Sequence, residues 1–170
     1  YLASGELPKR GELVLNGGMA CYETYETKDH RYLSVGALEM KFWKNFCQVI
    51  GKEELISQLN APAEGQELMK KEIQAVIETK TLIEWVELFD GVDACVAPVL
   101  TMEEMVADPQ IQHRGMIEKV DHPQYGTLKQ VANPIKLSRT KLKTVRPAPL
   151  LGEHNDEILE ELGLLKPLEE

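Results

Sequence analysis

The sequence predicts a mixed α/β (α+β) domain, and three observations predict it. Short aromatic and β-branched runs flank polar turns, amphipathic repeats at helical spacing follow them, and two capping boxes precede further apolar runs. Hydrophobic residues make up 43% of the chain, enough to bury a core and to exclude wholesale disorder.

The elements follow in order. Residues 1–19 hold Gly5, Pro8, Gly11, Gly17 and Gly18 amid scattered charge, which predicts an extended connector. Ala20 to Thr27 and Arg31 to Gly36, parted by Lys28-Asp29-His30, predict a β-hairpin. Phe42, Trp43, Phe46, Val49 and Ile50 then recur at helical spacing after Glu39, and Gly51 is placed to end that helix. Lys52 to Leu59 suggests a short helical turn. Gln66 to Thr79 repeats the pattern, with Met69, Ile73, Val76 and Ile77 on one face.

Thr81-Leu82-Ile83-Glu84 has capping-box form, and Leu82, Trp85 and Phe89 follow until Asp90-Gly91. Val92 to Val99 is an apolar run of the length of a buried strand. A second capping box, Thr101-Met102-Glu103-Glu104, starts another helix, with Leu100 and Met105 placed as its hydrophobic staple. Asp108-Pro109 closes or restarts it. Met116 to Val120 and Thr127 to Val131 predict a second hairpin, and residues 132–153, with Pro134, Pro147 and Pro149, a second connector. Asn155 is placed to cap a last helix, Asp156 to Leu162, whose acidic first turn suits the helix dipole; Gly163 ends it. Two arms and a lone amphipathic helix cannot bury themselves, so they are expected to pack on something outside this chain. There are no internal repeats.

Composition narrows the function. With 28 acidic against 19 basic residues the net charge is −9, which repels phosphate backbones and argues against nucleic-acid binding. The one short basic run, Arg139 to Arg146, lacks interleaved aromatics and is expected to be a solvated connector. No apolar run approaches the roughly 20 residues of a membrane span. Cys21, Cys47 and Cys95 are scattered, odd in number and set among apolar residues, which predicts buried reduced thiols, no structural metal and a cytoplasmic setting. The opening Tyr1-Leu2-Ala3-Ser4-Gly5 has neither an initiator Met nor a signal pattern, so the chain is expected to be cut from something longer.

Signals of chemistry are sparse. GxxxxGK[ST], GxGxxG and GxSxG are all absent. Glu39 stands out because it falls where a strand hands over to a helix, an exposed tip that active sites favour; the alternative is a first-turn Glu satisfying the helix N-terminus. His30, His113, His122 and His154 are the candidate bases. His30 is expected in a hairpin turn, His113 and His122 on the surface, and His154 at the foot of the last helix with N-cap geometry. Asp93, beside Cys95, reads as a turn residue. Residue by residue, the reading stops at a soluble α/β domain.

Several ordered motifs go further. The stretch Cys21 to Glu39, with Thr27-Lys28-Asp29-His30 at its turn, resembles the tyrosine-rich "TKDG" hairpin of the class III CoA-transferase family. Trp85 to Phe89, Asp93-Ala94-Cys95-Val96-Ala97-Pro98-Val99, Arg114-Gly115-Met116, Asn133 to Ser138 and Leu151 to Asn155 resemble its later landmarks, in the expected order. The family includes formyl-CoA transferase, carnitine CoA-transferase and α-methylacyl-CoA racemase, and the resemblance covers essentially the whole chain.

The resemblance implies the small α/β domain of a longer enzyme, at residues 20–118. Residues 1–19 would link it to a missing N-terminal large domain. Residues 119–153 would form a hairpin and return linker, and residues 154–170 a C-terminal helix packing on that large domain. It further implies an interlocked homodimer, a coenzyme A thioester as substrate and no tightly bound cofactor. The family's catalytic aspartate lies in the missing half, so this piece alone is expected to be inactive. Val35-Gly36-Ala37-Leu38-Glu39 is similar to the "VGAxE" stretch of the racemases, whose glutamate pairs with a histidine from the other subunit's large domain. A transferase would carry a glycine-rich loop there and leave Glu39 a spectator. A non-catalytic interaction module built on the small-domain fold is the reading of another class. His30, in place of the family's glycine, is expected to take a left-handed conformation at some cost.

Overall fold

The structure, a computed structural model, describes residues 1–5, 7, 9–140 and 147–164. Pro8, the basic residues from Lys141 to Arg146 and the end of the expected C-terminal segment lie outside the described residues. The chain divides into two compact units, Tyr1–Val99 and Leu100–Glu170.

The first unit is built on a three-stranded antiparallel sheet, β1 (Tyr22–Glu26), β2 (Tyr32–Gly36) and β3 (Val96–Pro98), in that order. The expected hairpin forms with Tyr22 opposite Gly36 and Glu26 opposite Tyr32. Period-two alternation sends Tyr25, Leu33 and Val35 into the core. Helix α1 (Met40–Val49) buries Trp43, Phe46 and Cys47, and its exit through Gly51 has φ 71°, which glycine accepts without a Cβ clash. A 3-10 helix (Glu53–Gln58) sends in Leu55. Helix α2 (Ala63–Ile77) adds Met69, Ile73 and Ile77, and α3 (Leu82–Phe89) adds Leu82, Trp85 and Phe89. The aromatic rings form a row, Trp43 stacked with Phe46 at 5.6 Å, Phe46 stacked with Phe89 at 5.9 Å and Trp85 tilted against Phe89 at 6.1 Å. Both indole N–H groups are satisfied, Trp43 by the Leu55 carbonyl at 3.0 Å and Trp85 by that of Ile77 at 2.7 Å.

Three features of this unit differ from expectation. Residues 9–19 form successive turns, with Gly18 N–H donating to the Leu13 carbonyl at 2.8 Å, rather than an extended arm. Strand β3 is three residues long, lies at the sheet edge and is only half-buried; Pro98, which has no N–H to donate, suits an edge and not an interior position. Cys95 is exposed, whereas Cys21 and Cys47 are buried as expected, and burial pushes the Cys47 thiol up to about 12.

In the second unit, α4 (Met102–Ala107) starts at the Thr101/Glu104 capping box, and Asp108 caps α5 (Pro109–His113) through the N–H groups of Gln110 and Ile111. The expected second hairpin is β4 (Ile117–His122) with β5 (Gly126–Val131), Ile117 opposite Val131. Helices α4 and α5, expected with the small domain of residues 20–118, group by contact with this hairpin. Helix α6 (Asn155–Glu161) begins at Asn155 itself, so Asn155 is its first residue and not its cap; His154 holds the N-cap position without a side-chain capping bond. Gly163, at φ 65°, ends the helix as expected.

Candidate functional site at the Gly36–Glu39 loop

Glu39 lies where β2 hands over to α1. Its backbone is extended (φ −84°, ψ 143°) and its carbonyl accepts the first helical bond, from Trp43 N–H at 3.0 Å, which makes it the N-cap of α1. Its side chain makes no capping hydrogen bond. A carboxylate in this position commonly spends itself on the first-turn N–H groups. This one is exposed and does not.

The loop that carries it is fixed from both sides. Ala37 is fully buried, and its N–H donates to the Cys21 carbonyl at 2.8 Å. Gly36 N–H donates to the Cys95 carbonyl at 2.9 Å, continuing the β2–β3 ladder one residue beyond the Val35–Val96 pair. On the helix side, Lys41 forms an ion pair with Asp93, and Asn45 Nδ2 donates to the Asp93 carbonyl at 2.9 Å. An open groove of about 380 Å³ borders Gly36 and Cys95, walled by Tyr22, Thr24, Ser34 and the Leu15–Gly17 turn.

The structure sorts the remaining candidates. His30 takes the left-handed conformation expected of it, at φ 57°, and its Nδ1 lies 2.6 Å from Glu26 Oε1. It sits at the turn end of the hairpin, while Glu39 follows Gly36 at the other. The length of β2, roughly 13 Å, separates them, so His30 has no part in a site at Glu39. Asp93 is a turn residue as expected, but one engaged by two side chains of α1. The other three histidines belong to the second unit. His113 is exposed at the end of α5. His122, expected on the surface, is instead buried: its Nδ1 accepts the N–H groups of Gln124 and Tyr125 at 3.1 and 3.3 Å, and its ring meets Tyr125 at 4.7 Å. Those two bonds hold the imidazole as the Nε2–H tautomer, a role in turn formation. Among the described residues no three His, Cys, Asp or Glu side chains gather as metal ligands would. No described helix is long and apolar enough to cross a membrane.

Sequence reasoning missed Lys41 and Asn45. Their i, i+4 spacing puts them on one face of α1, which was legible; their partner lies 52 and 48 residues further on, which was not.

Residues 1–155 match the family described as CoA-transferase family III. The chain belongs to CoA-transferase family III. Within that family it is 36% identical over 156 residues to the α-methylacyl-CoA racemase of Homo sapiens, covering 91% of this chain and 40% of that protein. It is 38% identical over 125 residues to a formyl-CoA:oxalate CoA-transferase of Rhodopseudomonas palustris, covering 71% of this chain and 29% of that protein. Among solved structures, a CAIB/BAIF family protein from Brucella suis superposes with a TM-score of 0.62 at 25% identity, over 95% of this chain and 42% of that one. The chain thus spans about 40% of the length of the racemase and less of the transferase. Its α/β architecture is that of the family, whose characterised relatives are acyl-CoA racemases and CoA-transferases.

Proposed function

We propose that this chain is the C-terminal portion of an α-methylacyl-CoA racemase-type enzyme and that Glu39 is its contribution to the active site. The observation that carries the reading is the uncapped Glu39 carboxylate, exposed on a loop fixed by buried Ala37 and by the Asp93–Cys95 bend. The identity of 36% over 91% of the chain to a racemase supports it.

In this reading the substrate is a 2-methylacyl-CoA thioester and no tightly bound cofactor takes part. The thioester carbonyl makes the neighbouring α-proton removable once negative charge on its oxygen is stabilised. Inverting that carbon needs one acid/base group on each face. Both come from an N-terminal large domain that precedes these residues in the longer relatives, one as an aspartate and one as a histidine from the second subunit of a cytoplasmic homodimer. Glu39 is a positioning residue: its carboxylate accepts a hydrogen bond from the histidine, sets the tautomer and stabilises the imidazolium formed on proton uptake.

A transferase reading is favoured by the 38% identity to a formyl-CoA:oxalate CoA-transferase. There the aspartate acts as a nucleophile toward the thioester, and Glu39 takes no part. The test uses the full-length protein with a 2-methylacyl-CoA in heavy water, following deuterium at the α-carbon by mass spectrometry. Deuterium uptake without a CoA acceptor is expected, with Glu39→Gln lowering kcat about a hundredfold and shifting its pH profile, and Glu39→Asp restoring part of both. Label exchange between a free carboxylic acid and the thioester, with no α-deuteration and no effect of Glu39→Gln, would overturn the racemase reading in favour of transfer.

A further inference from the structure

We infer that the Asp93–Cys95 bend is the positioning element of the Glu39 loop and that it works through its main-chain carbonyls and the Asp93 carboxylate, not through the Cys95 thiol. The inference rests on the reading of Glu39 above. Three contacts carry it. The Cys95 carbonyl takes the N–H of Gly36, ahead of Glu39; the Asp93 carbonyl takes Asn45 Nδ2, and the Asp93 carboxylate pairs with Lys41, both behind it. One short segment thus holds both flanks of the loop whose tip is Glu39.

The backbone of the bend is unusual. Cys95 has φ 52°, and apart from His30 it is the only non-glycine described residue with a positive φ. A side chain makes this conformation unfavourable, so the surrounding contacts must hold it. Its use is local: the left-handed residue turns the chain out of the bend and into β3, so that Val96 opposite Val35 and the Gly36–Cys95 bond coexist. The thiol itself offers little chemistry. Desolvation, then the charges of Asp93 and Glu39, push it up from its ordinary value, so it stays protonated near neutrality and is a poor nucleophile.

Two substitutions at one position separate backbone from thiol. Cys95→Gly deletes the sulfur and fits a positive φ without strain; Cys95→Val deletes it and, being β-branched, resists that φ. Asn45→Ala cuts the second tie without altering the bend, and covers the case in which Cys95→Val fails to fold. All are made in the full-length protein and read twice: by kcat and KM for α-deuteration, and by the hydrogen-exchange protection of the Gly36 amide.

Cys95→Gly is expected to keep kcat within about twofold and to keep Gly36 protected. Cys95→Val is expected to lower kcat about tenfold or more at unchanged KM, with faster Gly36 exchange, and Asn45→Ala to lower kcat severalfold. Equal losses in Cys95→Gly and Cys95→Val would overturn the inference, because the sulfur would then matter. Full kcat and full Gly36 protection in both Cys95→Val and Asn45→Ala would overturn it as well. If Glu39→Gln itself leaves deuteration unchanged, the reading of Glu39 fails; Gly36 exchange in Cys95→Val then decides this inference, faster exchange upholding the bend as the loop's anchor and unchanged exchange overturning it.

Discussion

The two hairpins of this chain share a sequence style and differ in what their faces meet. In β1–β2 the alternate residues Tyr25, Leu33 and Val35 are buried, and in β4–β5 every residue of β5 is exposed and only His122 of β4 is buried. The first hairpin is followed by helices whose apolar faces join its core, and side chains also close its edge. Gln74 both donates to the Glu26 carbonyl at 2.8 Å and accepts the Glu26 N–H at 3.1 Å, taking the place of a neighbouring strand along β1. Local pattern therefore suffices to form a hairpin; stability comes from the elements that cover it.

The comparison breaks if the same side-chain deletion costs the same in both hairpins. Leu33→Ala, at a fully buried position, should destabilise the first unit by about 3 kcal/mol. Both tryptophans lie in that unit, so fluorescence-detected urea unfolding reports it directly. Thr81→Ala should cost about 1 kcal/mol in the same assay, because the Thr81 hydroxyl accepts the Glu84 N–H at the start of α3. Leu128→Ala, on the uncovered β5, should change hairpin stability by no more than about 0.5 kcal/mol, read as amide-exchange protection of β4 and β5. A Leu128→Ala loss as large as that of Leu33→Ala would mean that β5 is covered in the working protein.

A subtler contrast lies at the turns. The bond to Glu26, and then its charge, raise the His30 pKa above the ordinary 6.5. A raised folded-state value stabilises the first turn fully below the ordinary pKa, and that contribution fades as pH climbs through the folded one. His30 should therefore titrate above an unperturbed imidazole in an NMR titration, and Glu26→Gln should bring it back. Solvent exposure keeps the accompanying stability change the smallest of the set.

Elements fixed by near neighbours were legible in the sequence. Both capping boxes formed, at Thr81/Glu84 and Thr101/Glu104, and the helical repeat of Trp43 and Phe46 reported its buried face. What escaped depends on partners far along the chain. The buried Gln66, the Gln74 bridge and the Asp29 carboxylate that accepts the Leu82 N–H at 3.0 Å join residues 46 to 53 positions apart. None of these partners can be read from the residues next to them in sequence. The site divides in the same way: the position of Glu39 at a strand–helix junction followed from local pattern, while its lack of a capping bond and the Asp93–Cys95 anchor did not. Val92 to Val99 misled because an apolar run does not say whether its strand lies inside a sheet or at its edge, although Pro98 was the clue.

Gln66 has a mechanical consequence. Its Oε1 accepts the Ala20 N–H at 2.9 Å, and its Nε2 donates to the carbonyls of Leu59 and Ala61 at 2.9 and 3.1 Å. The Ala20 carbonyl is taken in turn by the Tyr25 hydroxyl at 2.6 Å. Ala20 is thus moored on both sides before the first strand begins. A tug on the preceding residues meets this mooring to α2 before it reaches Cys21, whose carbonyl holds the Ala37 N–H of the Glu39 loop.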